Sequence, residues 1–534
     1  MTPHQHGSSR TCAARPLVHL EYVVTALFIA TVTHLGLLLL MPGGYEFSLG
    51  AIRVQGGHFR MALVACFALA CVRAWLSGTR NGIPLKEALR APHLLFLAAV
   101  LAYSLSPPGT ATGDTAPARY LPFSLVRELD FDLDEFSFHS SDRLYFIQHI
   151  KDQVVSSYPP WTAVLAIPVY LSPILAGIEP ESPIVADLEK RSATLITALS
   201  VLVLFFALRR VTREPLAWFI AVIYAFGTSS FSTSSQALWQ HGSSQLFLSL
   251  TIYCLIRGLH ERTFSALAVL PLSAAVICRP LDIVIALPIV MYLLHDRREQ
   301  GMRLLLAGLP ALVLFTTYNI VYFGSPFTTG FGGAIISPSS LVGAHLAWFQ
   351  TPLLEGLLGV LASPGRGLLV YSPIFVFSLL GMAIVWKEPG HHLLKYLSLG
   401  PVLLLLPVAT VGHWWGGHCY GPRLLADATP ILCLLLYPSF ERFQRMAWLR
   451  YAAACLAVIS IGMHALGAFS DLRWNMDPDE IDGNPHRLWS WVESPPVYNA
   501  QRMIVRFRFG NDFGDEAVSG ASDETNARPP AAGP

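Results

Sequence analysis

The chain has 534 residues, of which 53% are hydrophobic and only 13% charged, and its formal net charge is +1. Soluble domains carry roughly a quarter charged residues, so this composition excludes a soluble globular fold. The charge balance says nothing of nucleic acid, and no basic cluster or aromatic-rich polar patch points to it. Together with a mean hydropathy of +0.49, apolar runs of about 17–22 residues along most of the length mark an all-α polytopic membrane protein.

The polar start MTPHQHGSSRTCAARP, with Arg10 and Arg15 ahead of the first apolar run, reads as a cytoplasmic anchor end; no cleavable signal peptide is evident. Spans are expected at residues 20–41, 59–75 and 93–105. A long polar interruption follows at 113–161, holding eight acidic residues: Asp114, Glu128, Asp130, Asp132, Asp134, Glu135, Asp142 and Asp152. Carboxylates against a membrane are costly unless solvated or used, which makes this stretch the candidate active-site loop. Later spans are expected at 192–208, 216–231, 243–256, 264–277, 283–294, 304–322, 368–385, 393–411, 424–436 and 451–466, for a bundle of about 13. The organisation is then N-terminal spans at 1–106, an extracytoplasmic loop with juxtamembrane helices at 107–190, a bundle at 191–468, a small outer segment at 469–515 and a disordered tail at 516–534.

Five connections are clearly basic: 73–90, 209–213, 257–262, 297–303 and 442–450. Basic loops face the cytoplasm. All five do so only if residues 161–175, apolar but interrupted by Pro168 and Pro173, lie in the outer interface or re-enter without crossing. The acidic loop, residues 324–367 and the tail from Ser470 then face outward.

Within this frame Asp114, a few residues past a span in GDTAPARYLP, is either a base positioned at the membrane plane or a cap for the helix that Pro117 begins. Asp130, Asp132, Asp134 and Glu135 could hold a divalent cation through oxygen ligands, but they lack the spacing of a calcium loop and better suit a solvated acidic face. Arg279 in CRPLD, Arg366 in SPGRGLL and Arg423 in YGPRLL all fall at outward span entrances, against the usual charge bias. A phosphate at the membrane surface accounts for them, as does pairing with local carboxylates such as Asp282 or Asp427, or snorkelling to headgroups. Arg119, Tyr158, His241, His413, Trp415 and His418 are candidate substrate-lining residues, with the aromatic belt as the alternative for the tryptophans.

An acidic outer loop, the Pro-Pro-led segment SYPPWTAVLAIPVYL and a following bundle resemble the GT-C glycosyltransferases. The likeness is greatest to bacterial relatives of protein O-mannosyltransferases and lipid A aminoarabinose transferases, and the segments YNIVYFGSPFTTG, SPGRGLLVYSP and WWGGHCYGPRLL add to it. The resemblance covers residues 90–466. It implies transfer of one sugar, a hexose or pentose, from a polyprenyl-phosphate donor to a glycan, lipid or protein acceptor at the periplasmic face of a bacterial inner membrane, with inversion. Asp114 matches the catalytic position and an arginine would hold the phosphate. The best-known members carry Asp-Glu where this chain has Asp114-Thr115, and the first two spans stand as an addition. The alternatives are a flippase or transporter of lipid-linked glycans, which calls for mid-span charges and inverted repeats that the sequence does not display, and a non-catalytic membrane scaffold, which would not require outward arginines beside glycine turns.

Overall fold

A computed structural model describes residues 10–41, 45–49, 52–56, 59–81, 83–107, 112–136, 144–150, 152–330, 333–334 and 349–509. The helices are α1 (Arg10–Leu40), α2 (Phe59–Arg80), α3 (Leu85–Ala88), α4 (Pro92–Leu105), α5 (Ala116–Arg127), α6 (Trp161–Leu175), α7 (Ile184–Val211), α8 (Glu214–Phe226), α9 (Gln240–Gly258), α10 (Arg262–Leu267), α11 (Val269–Cys278), α12 (Ile283–Asp296), α13 (Gly301–Phe323), α14 (Leu353–Ala362), α15 (Leu368–Tyr371), α16 (Val376–Lys387), α17 (His392–Thr410), α18 (Thr429–Leu434), α19 (Leu436–Phe443), α20 (Ala447–Ala468) and α21 (Pro495–Phe509). Three short antiparallel hairpins interrupt them: β1 (Tyr45–Leu49) with β2 (Ile52–Gly56), β3 (Ile147–Ile150) with β4 (Gln153–Ser156), and β5 (Thr328–Thr329) with β6 (Gly333–Ala334).

Seven helical stretches among the described residues are long and apolar enough to cross a membrane. They fall on α1, α2, α7, α13, α17, the continuous run 423–443, and α20. Shorter apolar helices, α4, α6, α8, 262–278, α14 and 373–387, fill the spaces between them. The chain is therefore read as a multi-pass membrane protein. The main core is built where α7 and α9 cross, with α8, α11, α12, α16 and α17 closed around them. A second core gathers α1, α2 and α4.

Between α4 and α7 the polar stretch folds into a unit of its own. α5 and α6 pack together, the β3–β4 hairpin lies against them, and Leu121, Phe123, Leu133 and Tyr170 are fully buried. Sealing a leucine or phenylalanine from water stabilises by about 1.5–3 kcal/mol, enough to make this loop a rigid platform. α6 is one uninterrupted helix despite its prolines, because Pro160 precedes it as N-cap and Pro168 and Pro173 are absorbed inside. At 15 residues it reaches only about 22 Å, short of the roughly 30 Å of a hydrocarbon core.

Several expected spans are broken. The run expected at 216–231 ends at Phe226, and residues 228–236 form a buried Ser/Thr-rich turn around a π-helical segment, Ser230–Ser234. The expected span ran on to Phe231 because the apolar run to Phe226 is followed by small Ser and Thr residues around that phenylalanine. Such backbone is tolerated in a bundle only when protein surrounds it, as it does here. The run 368–385 is split by the 3₁₀ turn Pro373–Phe375, and 424–436 begins as a 3₁₀ helix, Arg423–Ala428. α14 lies in what was read as outer loop. The expected disordered tail, 516–534, lies outside the described residues.

Candidate active site

Asp114 sits in the turn that leads into α5. Thr115 is the N-cap residue of that helix, and its backbone N–H and hydroxyl both return to the Thr112 carbonyl, at 3.0 and 3.2 Å. Asp114 is thus one residue too early to cap, and the capping alternative falls. Its carboxylate instead accepts hydrogen bonds from the Tyr158 hydroxyl at 2.6 Å and the Tyr145 hydroxyl at 2.9 Å, and forms an ion pair with Arg423. Only 18% of the Asp114 side chain is exposed.

The two tyrosines arrive together because of hairpin register. Ile147 pairs with Ser156, and the Ser157 N–H donates to the Phe146 carbonyl at 2.9 Å, so the residues just outside the hairpin are brought side by side. Gly113 makes room for them: a Cβ there would lie 2.5 Å from the Tyr145 hydroxyl oxygen. Tyr145 was not singled out from the sequence, where nothing local marks it. Burial by itself would raise the Asp114 pKa, but the Arg423 guanidinium and the bonds from Tyr158, Arg423 and Tyr145 together hold it below the ordinary carboxylate range. Burial, with Asp114 alongside, pushes both tyrosines upward, so both remain donors at neutral pH.

Arg423 opens the 3₁₀ helix that follows Gly421. Its guanidinium lies 4.4 Å from the centre of the Trp239 ring, and one amino group donates to the Gly416 carbonyl at 2.6 Å. Gly416 holds φ at +74°, the left-handed region that favours glycine. One turn further along the same 3₁₀ helix, Asp427 binds a second set of groups. Arg279 Nε stands 2.6 Å from one carboxylate oxygen, and His241 Nδ1 donates to the other at 2.9 Å. Arg279 also donates to His241 Nε2 at 3.0 Å. Asp282 lies 4.0 Å from Arg279 and accepts from Ser244. Arg279 is therefore matched with Asp427, the local-carboxylate alternative, in a layer directly behind Arg423.

The remaining expected residues go elsewhere. Arg366 is 2% exposed and donates to the carbonyls of Trp415 (2.9 Å), Gly365 (2.9 Å) and Gly417 (3.1 Å) and to Asn475 Oδ1 (2.7 Å). Its guanidinium also rests 5.2 Å from the Trp474 ring centre. Four of its five N–H donors are spent, three on backbone carbonyls and one on Asn475, so it ties the 413–421 loop to the C-terminal segment. Trp415 points the same way, donating from Nε1 to Asp482 at 2.7 Å, with the His413 ring tilted against it at 4.9 Å. Arg119 is paired with Glu189 through Nε at 2.6 Å, and Glu189 also accepts from the Leu238 N–H at 3.2 Å.

Two groups bear on metals. In the acidic cluster, Asp132 accepts from Gln153 Nε2 at 3.1 Å and Asp134 accepts from the Val154 N–H, so both are turned toward the β3–β4 hairpin. Asp130 is pushed up to about 6 by burial and by neighbouring carboxylates. His418, Glu480 and Asp482, by contrast, place an imidazole nitrogen and two carboxylate oxygens within 4.8 Å of one another, close enough to share one cation. At Asp114 itself the charged partner is the Arg423 guanidinium.

No protein-family model matches the chain, and no curated protein matches it. Among solved structures it is similar to the crystal structure of the Archaeoglobus fulgidus oligosaccharyltransferase in complex with Zn and sulfate, with a TM-score of 0.43 and 12% identity. The match covers 75% of this chain and 58% of that one.

Proposed function

We propose that the protein is an integral-membrane glycosyltransferase of GT-C type that moves a hexose or pentose from a polyprenyl-phosphate donor to an acceptor hydroxyl. Asp114 is the base and Arg423 the phosphate ligand. The observation that carries this reading is the meeting of these two residues, 309 positions apart in the chain, beside two hydroxyl donors. A carboxylate with a depressed pKa is ionised at neutral pH and ready to accept a proton, though weakly basic. A donor phosphate reaching the same pocket would compete for the guanidinium, which suits phosphate oxygens as well as carboxylate. Losing Arg423 to the phosphate would raise the proton affinity of Asp114 as the acceptor hydroxyl attacks the anomeric carbon with inversion. Arg423 then stabilises the charge growing on the leaving phosphate, while the Arg279–Asp427–His241 layer keeps the 3₁₀ turn in place.

In this reading the site faces the extracytoplasmic side of a bacterial inner membrane, and the lipid chain of the donor lies between spans. Acceptor class, whether glycan, lipid or protein, is left to the assay. The experiment is transfer of radiolabelled sugar from a polyprenyl-phosphate donor in membranes, comparing wild type with Asp114→Asn. Equal turnover by the two would remove Asp114 from the reaction, and no turnover by wild type with any donor would return the protein to the flippase class. Orientation has its own check, because Tyr145 is 64% exposed. Tyr145→Cys should react with a membrane-impermeant maleimide added to intact spheroplasts.

A further inference from the structure

Beside the N-terminal helices, away from Asp114, lies an open cavity bordered by charged side chains. It holds about 450 Å³ between the start of α2, the end of α4 and the first turns of α7, and is lined by Arg60, Lys190, Arg191, Asp187, Ser104 and Phe59. Three cations face one carboxylate. Lys190 is 5% exposed and makes no ion pair among the described residues. Its ammonium donates only to Ser106 Oγ at 2.9 Å and to Gln236 Oε1 at 2.5 Å. Arg191 is stacked 4.6 Å from the Phe59 ring centre and spends one amino group on the Leu38 carbonyl at 3.0 Å. Ser104, 7% exposed, has a hydroxyl with no hydrogen-bond partner among the described residues.

A buried ammonium without a counter-charge is costly, and a buried hydroxyl without a partner costs about 1–3 kcal/mol. One ligand answers both: an anion carrying several acceptor oxygens. Guanidiniums on two sides supply forked donors that fit tetrahedral phosphate, the ammonium supplies a point charge, and the Ser104 hydroxyl supplies a further donor. The volume accommodates a headgroup rather than a bare ion. Along α2 from the cavity mouth, Met61 and Val64 present exposed apolar surface, 68% and 43% exposed, on which an acyl chain could lie.

The helix keeps this cavity apart from the Asp114 site. Adjacent residues on α7 point about 100° apart. Glu189 accordingly turns to Arg119 in the loop unit, whereas Lys190 and Arg191 turn to the N-terminal helices. We propose that this cavity binds a phosphate group of net negative charge, one that no choline neutralises, with an anionic bilayer phospholipid or free phosphate as its source. The site does not depend on the glycosyltransferase reading.

The test uses the full chain, purified in detergent and reconstituted into nanodiscs of phosphatidylcholine with or without phosphatidic acid, with retained lipid counted by native mass spectrometry. Wild type should retain phosphatidic acid over phosphatidylcholine by about tenfold, a difference of 1.4 kcal/mol. Arg60→Gln should erase most of that preference without affecting folding, since Arg60 is exposed and has no described partner. Arg191→Gln should lower it further. Arg450→Gln, an exposed arginine on α20, reports any loss from surface charge alone and should leave it intact. In the second arm, inorganic phosphate added without lipid raises the melting temperature of wild type and not of Arg60→Gln if the soluble source is the natural one. The proposal is overturned if Arg60→Gln retains phosphatidic acid as wild type does, or if wild type shows neither lipid preference nor a phosphate-dependent shift.

Discussion

Two arginines stand in matching local sequence, Arg366 after SPG and Arg423 after YGP, both beside glycine turns at the same end of the bundle. Arg366 is sealed beneath Trp474 and satisfied by backbone carbonyls, so nothing it binds can be exchanged. Arg423 lies against a carboxylate that is itself held by two tyrosine hydroxyls, one of them exposed. The same side chain is a tie in one place and, in the proposed mechanism, an exchangeable ligand in the other. The difference lies in the partners: carbonyl oxygens belong to the fold, whereas a carboxylate–guanidinium pair at a solvent-reached turn can open for a competing anion.

The largest expected break of this contrast is Asp114→Asn. It keeps the shape, removes the proposed base and should lower sugar transfer by about 10³-fold, within the usual 10²–10⁴ range for such a group, with a smaller loss of melting temperature because Arg423 is left without its carboxylate. Arg366→Met should do the reverse in kind. It strands several buried carbonyls, each costing about 1–3 kcal/mol, so the solubilised protein should unfold at clearly lower temperature or fail to accumulate. Should Arg366→Met fold as well as wild type and lose only activity, the two arginines would be alike after all.

Tyr158→Phe comes next. Losing the 2.6 Å bond to Asp114 should reduce turnover about tenfold. Tyr145→Phe should cost only a few-fold, because that hydroxyl is exposed and water can replace it. The smallest and sharpest effect is with pH. Because the folded-state pKa of Asp114 is depressed, its pairing contributes stability that is fully present above the ordinary carboxylate value near 4 and is lost as pH falls below it. Wild type should therefore lose more thermal stability than Asp114→Asn between pH 5 and pH 3, and the two curves should run parallel above pH 5.

Much of this site was legible as residue types and little of it as partnerships. Asp114 stood out because a carboxylate so close to a span needs a reason, and Arg423 because, in the topology expected from the basic loops, it breaks the charge bias of outward loops. Tyr145 did not, since an exposed tyrosine ahead of a strand has no local anomaly. Arg279 and Arg366 carried the same signal as Arg423 and went to other partners. Only three-dimensional pairing distinguishes a guanidinium matched to Asp427, one matched to carbonyls and one matched to Asp114.

Composition and hydropathy alone determined that the chain lives in a bilayer, where its polar interruption lies and which charges are anomalous. These are properties of single segments, set by the cost of placing each residue type in hydrocarbon. Tertiary structure alone decided where spans break, which arginine meets the carboxylate, and that three cations gather at an open cavity beside the N-terminal helices. Those outcomes depend on contacts between segments hundreds of residues apart, which no local pattern encodes.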